Sequence, residues 1–199
     1  MVTSSEPETD GRIQRSERSR EAIVRAMLNL IGAGNLSPTA QQAAAHANVG
    51  VRTVFRHFSD MNTLFATMHE RLEDEIEDLF VKQEQTGDLG TRVEKLVARR
   101  ITLFEHIAPY ERSAALHRPR SAFLQRLHER SVRSLRRDLL FWLPELGAAA
   151  SPTAQAIEMI LSFEAHQRLR IDQKLSVPRT QAALHQSAHA LMKGLPRAN

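Results

Sequence analysis

Apolar residues recur along the chain at intervals of three and four, and no stretch alternates with a period of two for long enough to make a strand. The pattern predicts an all-α protein. Ile23, Val24, Met27, Leu28 and Ile31 stripe a first helix over 15–31, which stops at Gly32 and Gly34. Beyond a compact pair of helices, Leu64, Phe65, Met68, Leu72, Ile76, Leu79 and Phe80 stripe a long helix over 60–83, with Ser59 as its cap. Gly87 and Gly90 break the pattern. Val93, Leu96, Val97, Ile101, Phe104 and Ile107 then mark a fifth helix that should end before Pro109, because proline removes a ladder hydrogen bond. A short sixth helix follows over 110–117. Pro119 separates it from a seventh over 121–143, where Phe123, Leu124, Leu127, Leu135, Leu139 and Trp142 point inward. Ser151 and Pro152 open an eighth helix running to about residue 174, and Pro178 opens a ninth that reaches Gly194.

The compact pair lies at 37–58. Ser37 suits the cap of a helix whose first residue is Pro38, and Ala40, Ala43, Ala44 and Ala47 make its inner side small enough for a second helix to cross closely. Asn48 tolerates the left-handed conformation that ends a helix, Val49 lies under the turn, and Gly50 gives a further flexible position. On the next helix Val51, Val54, Phe55 and Phe58 fall at inward spacings, leaving Arg52, Thr53, Arg56 and His57 outward. Two short helices, a three-residue turn and an outward face of donors make a helix-turn-helix.

At these residues the chain resembles the TetR family of bacterial transcription regulators, over roughly residues 18 to 70. The ending Thr53-Val54-Phe55-Arg56-His57-Phe58 carries much of the likeness. The resemblance implies nine helices, in an amino-terminal three-helix DNA-binding domain (12–59) and a larger helical domain for effector binding and dimerisation (60–199). Residues 1–11 read as a disordered tail. The implied DNA-binding residues are Thr39, Gly50, Val51, Arg52, Thr53, Phe55, Arg56 and His57. Arg52 suits a guanine edge or a phosphate, and Arg56 is equally within reach of an ion pair with Asp60. Two departures stand out. Asn48 and Gly50 replace the more usual glycine and capping serine, and Met61 stands where the family generally has a phosphate-gripping lysine.

The net charge is only +4 over 199 residues, so its placement matters more than its size. Seven arginines lie between Gly11 and Phe58 against Glu17 and Glu21, an excess suited to a phosphate backbone. Arg12, Arg15, Arg18 and Arg20 read either as an arm reaching DNA or as a solvated first turn. The segment 92–137 is also basic, although the family does not bind DNA there. There are no cysteines, which excludes disulfides and thiolate metal sites. No segment suits a membrane span or a signal peptide, and the expected location is the cytoplasm, at the nucleoid.

By the resemblance, the larger domain encloses an effector cavity. Phe65, Met68, Phe104, Ile107, Tyr110, Phe123, Leu127 and Trp142 are candidate lining, with His106, Arg112 and His128 as polar anchors; each also reads as simple core. The last two helices are the implied dimer surface. Ala183, Ser187 and Ala190 permit close approach there, and Ile160, Phe163, Leu184 and Leu191 supply apolar contact, against the alternative of an internal core. The histidines are scattered, no glycine loop suits a phosphate, and His185 with His189 lacks a third metal ligand. Neither enzyme, cofactor nor metal is expected. The sequence thus predicts a homodimer on double-stranded operator DNA, a repressor released by a small-molecule effector. The rivals are a ligand-independent DNA-binding protein, and a helical enzyme or metal-binding protein that keeps the motif as structure.

Overall fold

The computed structural model describes residues 7–80, 85–147 and 151–194, and for 7–10 and 77–80 the backbone alone. Among the described residues lie nine α-helices and no strand: α1 (Pro7–Gly32), α2 (Ala40–His46), α3 (Val51–His57), α4 (Met61–Phe80), α5 (Leu89–His117), α6 (Ala122–Trp142), α7 (Pro152–Ile160), α8 (Phe163–Gln167) and α9 (Val177–Lys193). None is long and apolar enough to cross a membrane.

The count matches the sequence through two compensating differences. The fifth and sixth helices expected either side of Pro109 are one helix, α5, with the proline inside it. A single proline deprives the Glu105 carbonyl of its donor, and the ladder on both sides carries the helix across the gap. Conversely, the helix expected over 151–174 is broken. Ser162 turns its hydroxyl onto the Ala165 N–H at 3.2 Å and caps a new helix, α8. One π turn, Arg168–Asp172, then ends the segment, and Lys174 sits at φ 54°. A serine that can bond its own backbone competes with helix continuation, and here it wins.

Two further boundaries differ. α1 begins at Pro7 and not near Arg15, so helix covers part of the stretch read as a disordered tail. α4 is capped by Asp60 in place of Ser59: Asp60 Oδ1 accepts the Thr63 N–H at 2.9 Å, and that bond above all holds the carboxyl below its ordinary range. The break before α5 does need its glycine. Gly87 is left-handed at φ 107°, and a Cβ there would lie 2.8 Å from the Thr91 side chain.

The chain forms two compact units, Met1–Glu75 with Pro109–Gln125, and Ile76–Ala108 with Arg126–Asn199, so α4, α5 and α6 each contribute to both. In the first unit Ile23, Met27 and Ile31 of α1 are buried with Ala43 and Ala44 of α2, Val54 and Phe58, and Leu64, Phe65 and Met68 of α4. Two serines fasten the returning segment to this unit. Ser113 Oγ donates to the Leu36 carbonyl at 2.7 Å, and Ser121 Oγ donates to Asn62 Oδ1 at 2.6 Å. The second unit has its own core, in which Val93, Leu96, Val97 and Ile101 of α5 meet Leu139, Trp142 and Leu143, with Ile157 and Leu161, and with Leu184 and Ala188 of α9. At its margin Glu105 accepts from His166 Nε2 at 2.8 Å and from Arg170 Nε at 2.6 Å, tying α8 and the π turn to α5.

Candidate nucleic-acid interface

The helix-turn-helix is built from α2, the turn 47–50 and α3. α2 opens two residues later than its sequence suggests, at Ala40, and Thr39 is the cap. Thr39 Oγ1 accepts the Gln42 N–H at 3.2 Å while Gln42 Oε1 accepts the Thr39 N–H at 2.8 Å, a reciprocal capping box. The signal was present as Thr39 with Gln42 three residues on. Ser37 turns away, its hydroxyl 3.5 Å from His117 Nε2. Asn48 is left-handed at φ 54°, as a helix-ending turn requires, and the Val49 N–H closes the turn on the Ala44 carbonyl at 3.0 Å.

Gly50 caps α3 with extended backbone (φ −71°, ψ 146°) and no side-chain bond. A Cβ at position 50 would meet only Thr53 Oγ1, at 4.0 Å. Gly50→Ser therefore supplies a missing cap at no steric cost. It should add a few tenths of a kcal/mol to stability, read as a thermal midpoint about one degree higher. A lower midpoint would show that this cap is not what limits α3.

On α3 the buried residues are Val54 and Phe58, with Val51 and Thr53 half-buried. Phe55, expected inward, is 61% exposed. It lies about 100° round the helix from Val54, so the stripe of positions 51, 54 and 58 already fills the inner face and turns Phe55 out beside Arg52 and Arg56. Arg52 and Arg56 are exposed. No ion pair joins Arg56 to Asp60, whose carboxylate is spent on Thr63. His57 is less open than expected: it is half-buried, its Nε2 is out of water without a partner, and its ring lies 6.4 Å from that of Phe58. Burial first, then the charges of Arg56 and Arg20, hold its imidazole below the ordinary histidine range, which favours the neutral ring.

Arg20 is not part of a loose arm. Its guanidinium carbon lies 5.7 Å over the Phe58 ring, and Nη2 donates to Thr67 Oγ1 at 2.9 Å, so one side chain joins α1, the end of α3 and α4. No spacing in the sequence announces this contact. Arg12, Arg15 and Arg18 are exposed on α1, where Arg15 and Arg18 bond carbonyls one turn back. Met61 is exposed in the first turn of α4 and offers no charge to a phosphate.

The other candidates divide between the two units. Phe65 and Met68 are buried in the first, with Tyr110, Arg112 and Phe123 half-buried. In the second, Phe104 and Trp142 are wholly buried, Ile107, Leu127 and His128 are half-buried, and His106 is exposed. Along α9, Ser187 and Ala190 are exposed and Ala183 and Leu191 half-exposed, as are Ile160 and Phe163. Leu184 is 4% exposed within the single chain and packs in the core of the second unit. Met159, not singled out by its sequence position, is among the most exposed large apolar residues described.

No protein-family model matches the chain and no curated protein matches its sequence. Solved structures do match by shape. A transcriptional regulator from Rhodococcus sp. Rha1 aligns over 91% of this chain and 99% of its own, at 18% identity and a TM-score of 0.66. A TetR-family transcriptional regulator from Streptomyces coelicolor aligns over 89% and 81%, at 16% identity and a TM-score of 0.68. The multidrug binding protein EbrR, solved in complex with imidazole, aligns over 93% of each chain at 14% identity and a TM-score of 0.61. The chain has the fold of TetR-family regulators.

Proposed function

We propose that the chain is a homodimeric transcriptional regulator of the TetR family, a repressor that a small-molecule effector releases from operator DNA. The observation that carries this reading is α3, a short helix anchored by Val54 and Phe58 that turns Arg52, Phe55 and Arg56 to solvent. Such a helix fits the major groove. Arg52 is the base reader, through the acceptor edge of guanine, with Thr53 beside it. Phe55 has no hydroxyl, so its contact is van der Waals, with a thymine methyl or a sugar. Arg56 and His57 face phosphates, Gly50 and Val51 let the backbone approach, and Thr39 lies at the edge of the footprint. Arg20 holds the end of α3 in place from behind.

Release is proposed to act through the returning segment. The hydrogen bonds from Ser113 to Leu36 and from Ser121 to Asn62 attach residues 109–125 to the loop before α2 and to the start of α4. An effector that shifts this segment changes how α3 is presented, which is coupling through alternative helix packings. The EbrR structure supports an effector reading, since that protein binds drugs on the same fold. The role requires no catalytic step and no cofactor, and it places the protein with the chromosome in the cytoplasm.

Arg52→Ala tests the reader. Specific operator affinity should fall by roughly 1–3 kcal/mol, measured by fluorescence anisotropy, with a much smaller loss on random duplex. Equal losses on both would reduce Arg52 to a phosphate contact. No loss on either would remove α3 from the interface.

A further inference from the structure

The turn that joins α5 to α6 is fastened to the helix-turn-helix on both sides. Before the turn, His117 sets its ring 5.4 Å from that of Phe65 on α4, and its Nε2 lies 3.5 Å from the Ser37 hydroxyl in the loop that enters α2. Beyond it, Ser121 donates to Asn62 in the first turn of α4. Residues 117–121 therefore touch both the entry to α2 and the start of α4. The turn itself, Arg118–Arg120, is firmly closed. Pro119 fixes one backbone angle, and the Arg118 carbonyl accepts the Ser121 N–H at 3.1 Å and Gln125 Nε2 at 3.3 Å. Ser121 Oγ also accepts the Leu124 N–H at 3.1 Å, which caps α6.

The two arginines of this turn differ. Arg118 is half-buried and faces Glu111 Oε2 at 3.6 Å. Arg120 is exposed, and among the described residues no hydrogen bond, ion pair or ring contact engages it. The first turn of α4 beside it brings no cation, since Met61, Asn62 and Thr63 are uncharged, and the Asp60 carboxylate is taken up by Thr63. In a docked helix-turn-helix the first helix of the pair crosses the sugar-phosphate backbone while the second enters the groove, so the loop before α2, and what is fastened to it, borders phosphates. We propose that Arg120 grips a DNA phosphate beside the groove that α3 enters, which makes residues 109–125 part of the DNA interface as well as its support. An arginine outside α3 meets backbone oxygens, not base edges, so it adds affinity without sequence preference. Its planar fork can take two phosphate oxygens at once. That the anion is a DNA phosphate rests on the DNA-binding reading above. A shift of residues 109–125 then withdraws this contact directly, besides altering how α3 is presented.

The test is Arg120→Gln in the full chain, with binding to a random-sequence duplex followed by fluorescence anisotropy over a series of salt concentrations. The position is exposed, so circular dichroism should show unchanged helix content and thermal midpoint. The slope of log affinity against log salt should fall by about 0.9 per bound subunit, which at about 0.1 M salt is a loss of about eightfold per subunit. The loss should be as large on a selected operator as on the random duplex, unlike that of Arg52→Ala. Arg120→Lys keeps the charge and should keep the slope, a rescue that a purely structural role for the arginine would not give. A wild-type protein that binds duplex while Arg120→Gln leaves affinity and slope unchanged overturns this contact and leaves the reading of α3 standing. A loss confined to the selected operator, with the slope unchanged, overturns it as a phosphate contact. A wild-type protein that binds no duplex at low salt defeats the DNA-binding reading, and this contact with it.

Discussion

Ala190→Glu should give a folded monomer that has lost tight operator binding. Ala190 is exposed in the single chain, so glutamate there leaves the subunit's own core untouched. In the proposed dimer it meets the partner's α9 at close range, and an unpaired charge buried between two helices is strongly unfavourable. Two heads held together bind two half-sites as one event, and a monomer forfeits that effective concentration. Operator affinity should therefore fall by at least about a hundredfold. Sedimentation gives the oligomeric state, and circular dichroism confirms that helix content is unchanged. A variant that remains dimeric would move the interface off this face of α9. Met159, exposed on α7, would then be the next position to charge.

Trp142→Ala should cost about 3–5 kcal/mol, the range for deleting a large aromatic side chain from a packed core. Trp142 is wholly buried among Val93, Leu96, Leu139 and Ile157. Chemical denaturation monitored by circular dichroism measures the loss. The same experiment separates two readings of this residue. A core tryptophan leaves a cavity whose walls cannot fully close, whereas one lining an effector pocket already faces space and costs much less to shorten. A loss under about 1 kcal/mol would place Trp142 on a cavity wall.

The helix-turn-helix was legible because its determinants are local: small alanines, Asn48 in the turn, and a threefold and fourfold stripe on α3. The long helices were legible for the same reason. What misled was local signal overruled by its neighbours. Pro109 looks like a terminator, yet one missing bond does not end a helix as long as α5. Ser162 looks like an ordinary helical residue until its hydroxyl is seen on the Ala165 N–H. Phe55 satisfies the inward spacing on paper, but Val54 and Phe58 already occupy that face, and only packing decides which apolar residues remain outside. Arg20 and the pair Arg99 and Arg100 lay beyond reach altogether. Their partners are 47, 39 and 38 positions away, at Thr67 and Asp138, and a basic residue on a helix carries no mark of burial.

The central claim is that α3 reads a defined operator. Selection of bound duplexes from a random DNA pool, followed by sequencing, tests it most directly. The account predicts enrichment of a near-palindromic site, with half-sites separated by about one helical turn or a multiple of it, and a guanine in each half-site whose preference disappears with Arg52→Ala. Recovery of duplexes without a shared sequence, held only by affinity that falls with salt, would contradict it.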